Sequence, residues 1–336
     1  MATLSDGAAP GRPTQTLAVS GKLVRRLATC TSRPGLRPKM FPRAFNYHRA
    51  GSLKEAASML QQLGPEAKLL AGGQSLIPLM KLRFASPPHV VDLNFVPGAS
   101  YVKQDGGGLR IGALSSHADI EDSGAAAAIP ILHDCAAGIA DVQIRNRGTI
   151  GGSLAEADPS GDWAPVLLTL GAELRCLGPK GERTVPISKF FLDAYTSALD
   201  HDELISEIAI ASPPKDTGGA YLAFKRSAPV YASASAAVRV AVEDGVCRDA
   251  AIVLGAVGLT PVQAKEAEAA LRNNQITPKT MEAAAEAARA AADPQPDMRG
   301  SAEYKRQLVA ALVKRALEVA LKRARGEKVE LGHIYA

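Results

Sequence analysis

The stretch from Ile144 to Asp162 constrains this chain most, because glycine stands at 148, 151 and 152 within it. Three glycines in five residues leave the backbone free to take positive φ and to come very close to another group, at an entropic cost that a plain connection avoids. Thr149 and Ser153 add hydroxyls, and the exposed peptide N–H groups of such a turn form an anion-binding concavity. Taken alone, the segment reads equally as a glycine-rich connection. A second turn, about 80 residues upstream, decides for phosphate. Ala67 to Ala71 is strand-like and runs into Ala71-Gly72-Gly73-Gln74-Ser75. Leu76 to Leu82 then reads as a helix carrying Lys81, with Arg83 just beyond it. That order places phosphates at a helix N-terminus, where the dipole and free N–H groups favour anions. Two such turns can clamp one diphosphate.

The length of 336 residues allows two domains, and a hydrophobic fraction of 46% with 22% charged residues is that of a soluble globular protein. No apolar run approaches the roughly 18 residues that suggest a membrane span. The net charge of +5 is concentrated at the N-terminus: residues 1 to 39 hold seven Lys or Arg against Asp6, a balance of +6, which leaves about −1 for the remainder. The charge of the body therefore makes no case for nucleic acid. The first 39 residues are rich in Gly, Pro, Ser and Thr without periodicity, so disorder is expected there. Their composition also suits a transit peptide. The patterned chain begins at Phe41, which favours Met40 as the working start, and no secretory segment is present. Cys30, Cys135, Cys176 and Cys247 are scattered without C-x-x-C spacing, which excludes an iron–sulfur cluster or metal site and suits a reducing cytoplasm.

Along the chain, Ser52 with Glu55 forms a capping-box pattern before a helix to Leu63, which Gly64-Pro65 ends. His89 to Leu93 and Gly108 to Ala113 alternate as short strands. Gly106-Gly107-Gly108 is a turn that does not match G-x-G-x-x-G, which argues against a Rossmann fold. Helices are expected over 118–122, 126–140 and 163–170, the last with Pro165 in its first turn. Strands follow at 173–177, 184–186 and 204–209. A boundary near Pro213-Pro214 precedes three antiparallel strands, at 221–226, 234–242 and 249–257. Thr260-Pro261 and Thr277-Pro278 then open helices, and Ser301 caps a long one to Arg325. The Lys and Arg residues of this last helix read as a solvated face.

Together the two turns resemble the flavoprotein, or medium, subunit of molybdenum-containing hydroxylases, the family of aerobic carbon monoxide dehydrogenase and xanthine dehydrogenase. Ala71 to Ser75 is similar to that family's first FAD motif and Thr149 to Ser153 to its second. The similarity extends through Pro159 to Asp162, the run from Phe224 to Tyr231 and beyond, and Met298 to Tyr304. It implies an α+β fold: a two-lobed FAD-binding domain of the vanillyl-alcohol-oxidase-like (PCMH) type over 40–214, then a smaller domain of antiparallel sheet plus helices over 217–325. A disordered extension (1–39) and a tail (326–336) flank them. By position, Leu69, Leu70, Ala71, Gly72, Gly73, Gln74, Ser75 and Leu76 would wrap the FAD diphosphate. Thr149, Ile150, Gly151, Gly152 and Ser153 would complete the wrap through backbone N–H groups, and Asp162 would accept hydrogen bonds from the cofactor. Ile139, Ile205 and Lys225 match further FAD contacts, although the two isoleucines also fit as plain core residues. Tyr231 would lie against the isoalloxazine. Many related flavin oxidases attach FAD through a histidine where this chain has Gln74, so noncovalent FAD is expected. His117 and His133 read as ordinary packed or solvated histidines.

The resemblance implies a cytoplasmic electron-transfer subunit with no catalytic residue and no metal of its own. Electrons would pass from a molybdenum cofactor in a large subunit through [2Fe-2S] clusters in a small subunit to the flavin, in a dimer of heterotrimers. A stand-alone FAD oxidoreductase and a nucleotide-binding assembly module without turnover are the alternatives. Carbon monoxide, purines, aldehydes and N-heterocycles all fit as substrates of such a complex, and NAD, quinone or oxygen as its acceptor.

Overall fold

A three-stranded parallel sheet carries the first glycine turn. In the computed structural model, which describes residues 40 to 331, it comprises β1 (Asn46–Arg49), β2 (Lys68–Leu70) and β3 (His89–Asp92) in the order β1-β3-β2. The N-terminal extension and the end of the C-terminal tail lie outside the described residues. Helix α1 (Leu53–Leu63) starts where Ser52 Oγ accepts from Glu55 N at 3.1 Å and stops at Gly64, whose φ is 81°. The Glu55 carboxylate reaches Gly51 N at 2.7 Å, one residue earlier than the reciprocal capping box places it. Ala56 and Ala57 bury the inner face of α1 in a cluster with Val91 and Leu93, and Leu60 is buried as well. Helix α2 (Leu76–Leu82) leaves the turn that follows β2, over the span its pattern predicts.

A five-stranded antiparallel sheet supports the second turn. Its strands are β4 (Val102–Asp105), β5 (Gly108–Gly112), β6 (Glu173–Gly178) and β7 (Gly181–Pro186). The small hairpin β8 (Phe191–Asp193) and β9 (Thr196–Ser197) intervenes before β10 (Leu204–Ala211), giving the order β4-β5-β10-β6-β7. Between β5 and β6 the chain forms α3 (His117–Glu121), α4 (Pro130–Gly138), α5 (Val142–Arg145), α6 (Ile150–Glu156) and α7 (Trp163–Thr169). Leu109, Ile111, Leu132, Leu154, Trp163, Leu167, Leu174 and Ile208 meet in their shared core. Each fully buried aliphatic side chain there contributes about 1.5–3 kcal/mol. The helix expected over 126–140 is broken: a 3₁₀ turn at Ala126–Ala128 precedes α4, and Ile129 between them has φ −126° and ψ 79°. Proline disfavours helical backbone at the residue before it, and Pro130 imposes that break.

The C-terminal third is an antiparallel sheet, β11 (Thr217–Phe224), β12 (Ala234–Glu243), β13 (Val246–Gly255) and β14 (Val262–Gln263), in that order. It is covered by α8 (Lys265–Leu271), α9 (Pro278–Ala291) and α10 (Ala302–Ala324). Pro213-Pro214 lies in the connection between β10 and β11. Thr260-Pro261 does not open a helix. Val262 and Gln263 pair with β13 instead, because the buried Glu268 carboxylate accepts from both Ile252 N (3.1 Å) and Gln263 Nε2 (3.0 Å).

Val309, Leu312, Val313 and Leu317 of α10 are buried, and Leu308 is half-buried beside them. Two of the helix's cations are not solvated, which corrects the sequence reading. Lys305 is 3% exposed, donates to Gln295 O at 2.9 Å and lies 3.0 Å from Asp297. Arg323 forks onto both Asp134 oxygens of α4, at 2.5 and 2.9 Å, and onto Gly219 O at 2.7 Å. A buried, fully hydrogen-bonded guanidinium of this kind fixes geometry through its planar fork. It fastens the last helix to α4 and to β11.

Candidate functional site

The two glycine turns touch. A Cβ on Gly72 would lie 2.1 Å from Arg147 O and 2.7 Å from Gly148 Cα, a contact that only a residue without a side chain permits. Gly73 has φ 73° and is the one glycine of either motif in the left-handed region. Gly148, Gly151 and Gly152 all have ordinary backbone angles, so the second motif uses glycine for close approach alone. A Cβ on Gly151 would meet Ala113 O at 2.7 Å, which shows how tightly this turn sits on the end of β5.

The donors are distributed differently from the expectation. Among the described residues, the backbone N–H groups of Gly72, Gly73, Gln74 and Ser75 donate to no protein acceptor. From Ile150 to Ser153 in the second motif they are taken: Ile150 N by Ser115 O, Gly151 N by Ala113 O, Gly152 N by Thr149 Oγ1 and Ser153 N by Thr149 O. Residues 150–156 are helical, with Thr149 as the N-cap, where the sequence reads as a glycine-rich turn. The first turn therefore supplies the free donors, and the second supplies the wall against which they are set.

Several polar side chains join the turns. Asn94 Nδ2 donates to Ala71 O at 2.9 Å, and Arg147 Nη2 donates to Asn94 Oδ1 at 3.0 Å. Asp92, which accepts from Asn94 and from Tyr47 OH, is held below the usual carboxylate range: burial opposes this, and the hydrogen bonds from Asn94 and Tyr47 outweigh it with help from Arg147. Ser75 Oγ donates to Glu156 of α6. Burial raises the Glu156 pKa, against the Ser75 hydrogen bond and with a contribution from Asp158. Asn94, Arg147 and Glu156 were not singled out from sequence. Arg147 and Glu156 lie between Ile144 and Asp162 but carry no pattern that assigns them a contact.

Asp162 and Lys225 meet directly. Both are buried, with Lys225 Nζ 3.0 Å from Asp162 Oδ2 and 2.8 Å from Gly138 O, while Tyr221 OH donates to Asp162 Oδ1 at 2.5 Å. Burial, and then the Asp162 charge, push the Tyr221 hydroxyl well above its ordinary pKa. Ile139 follows Gly138, and both it and Ile205 lie in the central core cluster. Tyr231, in the β11–β12 connection, is 44% exposed, and its hydroxyl faces Ser75. Its pKa is raised by burial first and by Glu156, Asp158 and Asp162 after it. Hollows of about 270 Å³ beside Ser52, Arg175 and Glu207 and about 530 Å³ beside Arg226, Met298 and Tyr304 lie outside both turns.

His117 packs under the second turn: its backbone N donates to Gly148 O, and its Nδ1 accepts from Trp163 Nε1 at 3.0 Å. Burial lowers its pKa from 6.5 to about 4. A depressed histidine pKa gives stability that is complete above the ordinary value and is lost as pH falls from about 6.5 towards about 4. His117→Gln keeps an acceptor for Trp163 and cannot titrate. From pH 7 to pH 5, wild type is expected to lose about 2 kcal/mol more unfolding free energy in urea than this variant. Equal losses would refute the assignment.

Free N–H donors beside a strand and a helix start, walled by a second glycine turn and bordered by a tyrosine, define a nucleotide-cofactor site of the flavoprotein class. The chain matches the family described as FAD binding domain in molybdopterin dehydrogenase over residues 43–213, and the CO dehydrogenase flavoprotein C-terminal domain over 219–320. It belongs to the family of FAD-binding medium subunits of molybdenum hydroxylases, and it is an oxidoreductase subunit. It is 39% identical to the carbon monoxide dehydrogenase medium chain of Hydrogenophaga pseudoflava, covering 84% of this chain and 98% of that one. The 6-hydroxypseudooxynicotine dehydrogenase complex subunit alpha of Paenarthrobacter nicotinovorans is 38% identical over 88% of this chain and the whole of the relative. Among solved structures, the carbon monoxide dehydrogenase from Hydrogenophaga pseudoflava that lacks the Mo-pyranopterin moiety superposes with a TM-score of 0.82 at 41% identity, over 84% of this chain and 99% of that one. The α+β architecture expected from the resemblance holds, and FAD is the cofactor. Among the described residues, no helix is long and apolar enough to cross a membrane and no cluster of ligating side chains could hold a metal.

Proposed function

We propose that this chain binds FAD noncovalently across the two touching turns and relays electrons from iron–sulfur clusters of a partner subunit to a terminal acceptor. The observation that carries this reading is the set of four free N–H groups at Gly72 to Ser75, held against the second motif. They would receive the diphosphate at the start of α2, where the helix dipole also favours anions. The flavin domain is taken as 40–214 and the smaller domain as 217–325, whose Tyr231 would lie against the isoalloxazine. Leu69, Leu70, Ala71 and Leu76 would complete the first wrap. Thr149 to Ser153 would act by close packing more than by donation. Lys225 and Asp162 would face the cofactor as a neutral pair, with Ile139 and Ile205 closing the apolar side. Gln74 stands where covalent flavoproteins present a histidine, and the His117 ring is already committed to Trp163.

Bound FAD accepts electrons singly and gives them up as a pair; the protein orients it and tunes its electrostatics. No nucleophile or general base of this chain is needed. Substrate would be oxidised at a molybdenum cofactor in a large subunit and the clusters held by a small one, in a dimer of heterotrimers, as the likeness to subunits of carbon monoxide and nicotine-derivative dehydrogenases supports. Cys135, Cys176 and Cys247 are buried free thiols, in keeping with a cytoplasmic complex. Affinity purification of the tagged chain from its native cell tests the reading. A yellow preparation with one molybdenum-containing and one iron–sulfur partner chain is expected. A colourless chain, or substrate turnover by the flavoprotein alone, would contradict it.

A further inference from the structure

We propose that Arg147 binds the cofactor diphosphate directly, aimed at the rim of the first turn by Asn94. The proposal rests on the FAD reading above. The first turn offers a diphosphate only neutral N–H donors, so a charge to complement the anion must come from a side chain. Lys81 and Arg83 lie at the far end of α2, about 10 Å along the helix from the turn. Arg145 is engaged with Glu121 at 2.8 Å, and Lys225 with Asp162. Arg147 differs from all of these. Its carbonyl packs against Gly72, its guanidinium is tied through Asn94 to Ala71 O, and among the described residues it makes no ion pair within 4 Å. Arg147 is exposed, and among the described residues its side chain makes the one hydrogen bond to Asn94, which leaves its other N–H donors for a ligand. Asp92 steers from behind: it accepts from Asn94 N at 2.9 Å and from Asn94 Nδ2 at 2.6 Å, which fixes the amide that in turn holds the guanidinium. A planar fork held in this way suits two phosphate oxygens.

The test uses the full chain stripped of flavin and titrated separately with FAD and with riboflavin, which has no phosphate, following flavin fluorescence. Arg147→Met is expected to weaken FAD about 10- to 100-fold, the range of a lost charge-assisted hydrogen bond, and to leave riboflavin binding and the unfolding midpoint unchanged. Wild-type FAD affinity should fall between about 0.1 and about 1 M sodium chloride, as the screening length shrinks from about 10 to about 3 Å. The variant should lose most of that salt dependence. Arg147→Lys should recover part of the affinity, and Asn94→Ala, which frees the guanidinium, should fall between Met and wild type. FAD binding by Arg147→Met that matches wild type in strength and salt dependence would overturn the assignment, as would an equal loss of riboflavin. A wild-type chain that binds no FAD at all would instead overturn the cofactor reading beneath it.

Discussion

A Gly72→Ala chain is expected to emerge without flavin and less stable by about 1–3 kcal/mol, the cost of overpacking a closed contact. The added Cβ would sit 2.1 Å from Arg147 O and 2.7 Å from Gly148 Cα, and real Cβ atoms essentially never come within 3.0 Å of a neighbour. Both obstructing atoms are backbone, so no rotamer change relieves the clash. The turns must part by about an ångström, which carries the free N–H groups away from the wall that positions them. Gly107→Ala is the matched control: it lies in the β4–β5 turn, where an added Cβ meets nothing within 4 Å, and it should leave flavin content and stability unchanged. Flavin absorbance per chain and urea unfolding of the three proteins check this. Full flavin content in the Gly72 variant would mean that contact between the turns does not matter to the site.

Lys225→Met should be more costly to the fold. It strips the ammonium from a carboxylate that is 6% exposed and leaves Tyr221 OH as the remaining donor to Asp162. Breaking a buried pair by removing one partner typically costs 3–5 kcal/mol, because the charge left behind has no compensation. Gly138 O, at the end of α4, also loses its donor. The double variant Asp162→Asn/Lys225→Met removes both charges and is expected to recover most of the loss, with a coupling energy that a pair of independent sites would not show. Additive effects in the double variant would show that the observed contact is not energetically coupled. Flavin retention should fall in the single variant as well, since the same pair is taken to face the cofactor.

Local pattern makes the first half of the site legible in the sequence. The strand-like run into Ala71, the turn at Gly72-Gly73 and the helix from Leu76 to Leu82 are each specified by residues within a few positions of one another. The second half is less legible. Gly151, Gly152 and Ser153 are poor helix formers, so Ile150–Glu156 reads as a loop; burial of Ile150 and Leu154, with the Thr149 cap, makes it a helix. Its first N–H groups are consumed by the Thr149 cap and by Ser115 O and Ala113 O, partners that no spacing along the chain reveals. The same limit applies to charge. Arg323 looks like one more cation on a solvated face until the fold brings Asp134, distant in sequence, beneath it. Arg147 and Asn94 likewise acquire meaning only when the two turns meet.

Flavin content of a purified Gly152→Val chain tests most directly whether both turns close on one diphosphate. The added Cβ would meet Thr149 Oγ1 at 2.8 Å, so the Thr149 cap of α6 must shift at a cost of about 1 kcal/mol that leaves the chain folded, and it faces Ala71 Cβ at 3.9 Å, where the branched side chain fills the gap between the turns. Wild type should carry its full complement of FAD, and the variant almost none with an unchanged circular dichroism spectrum. Wild-type flavin content in a folded Gly152→Val protein would contradict the clamp.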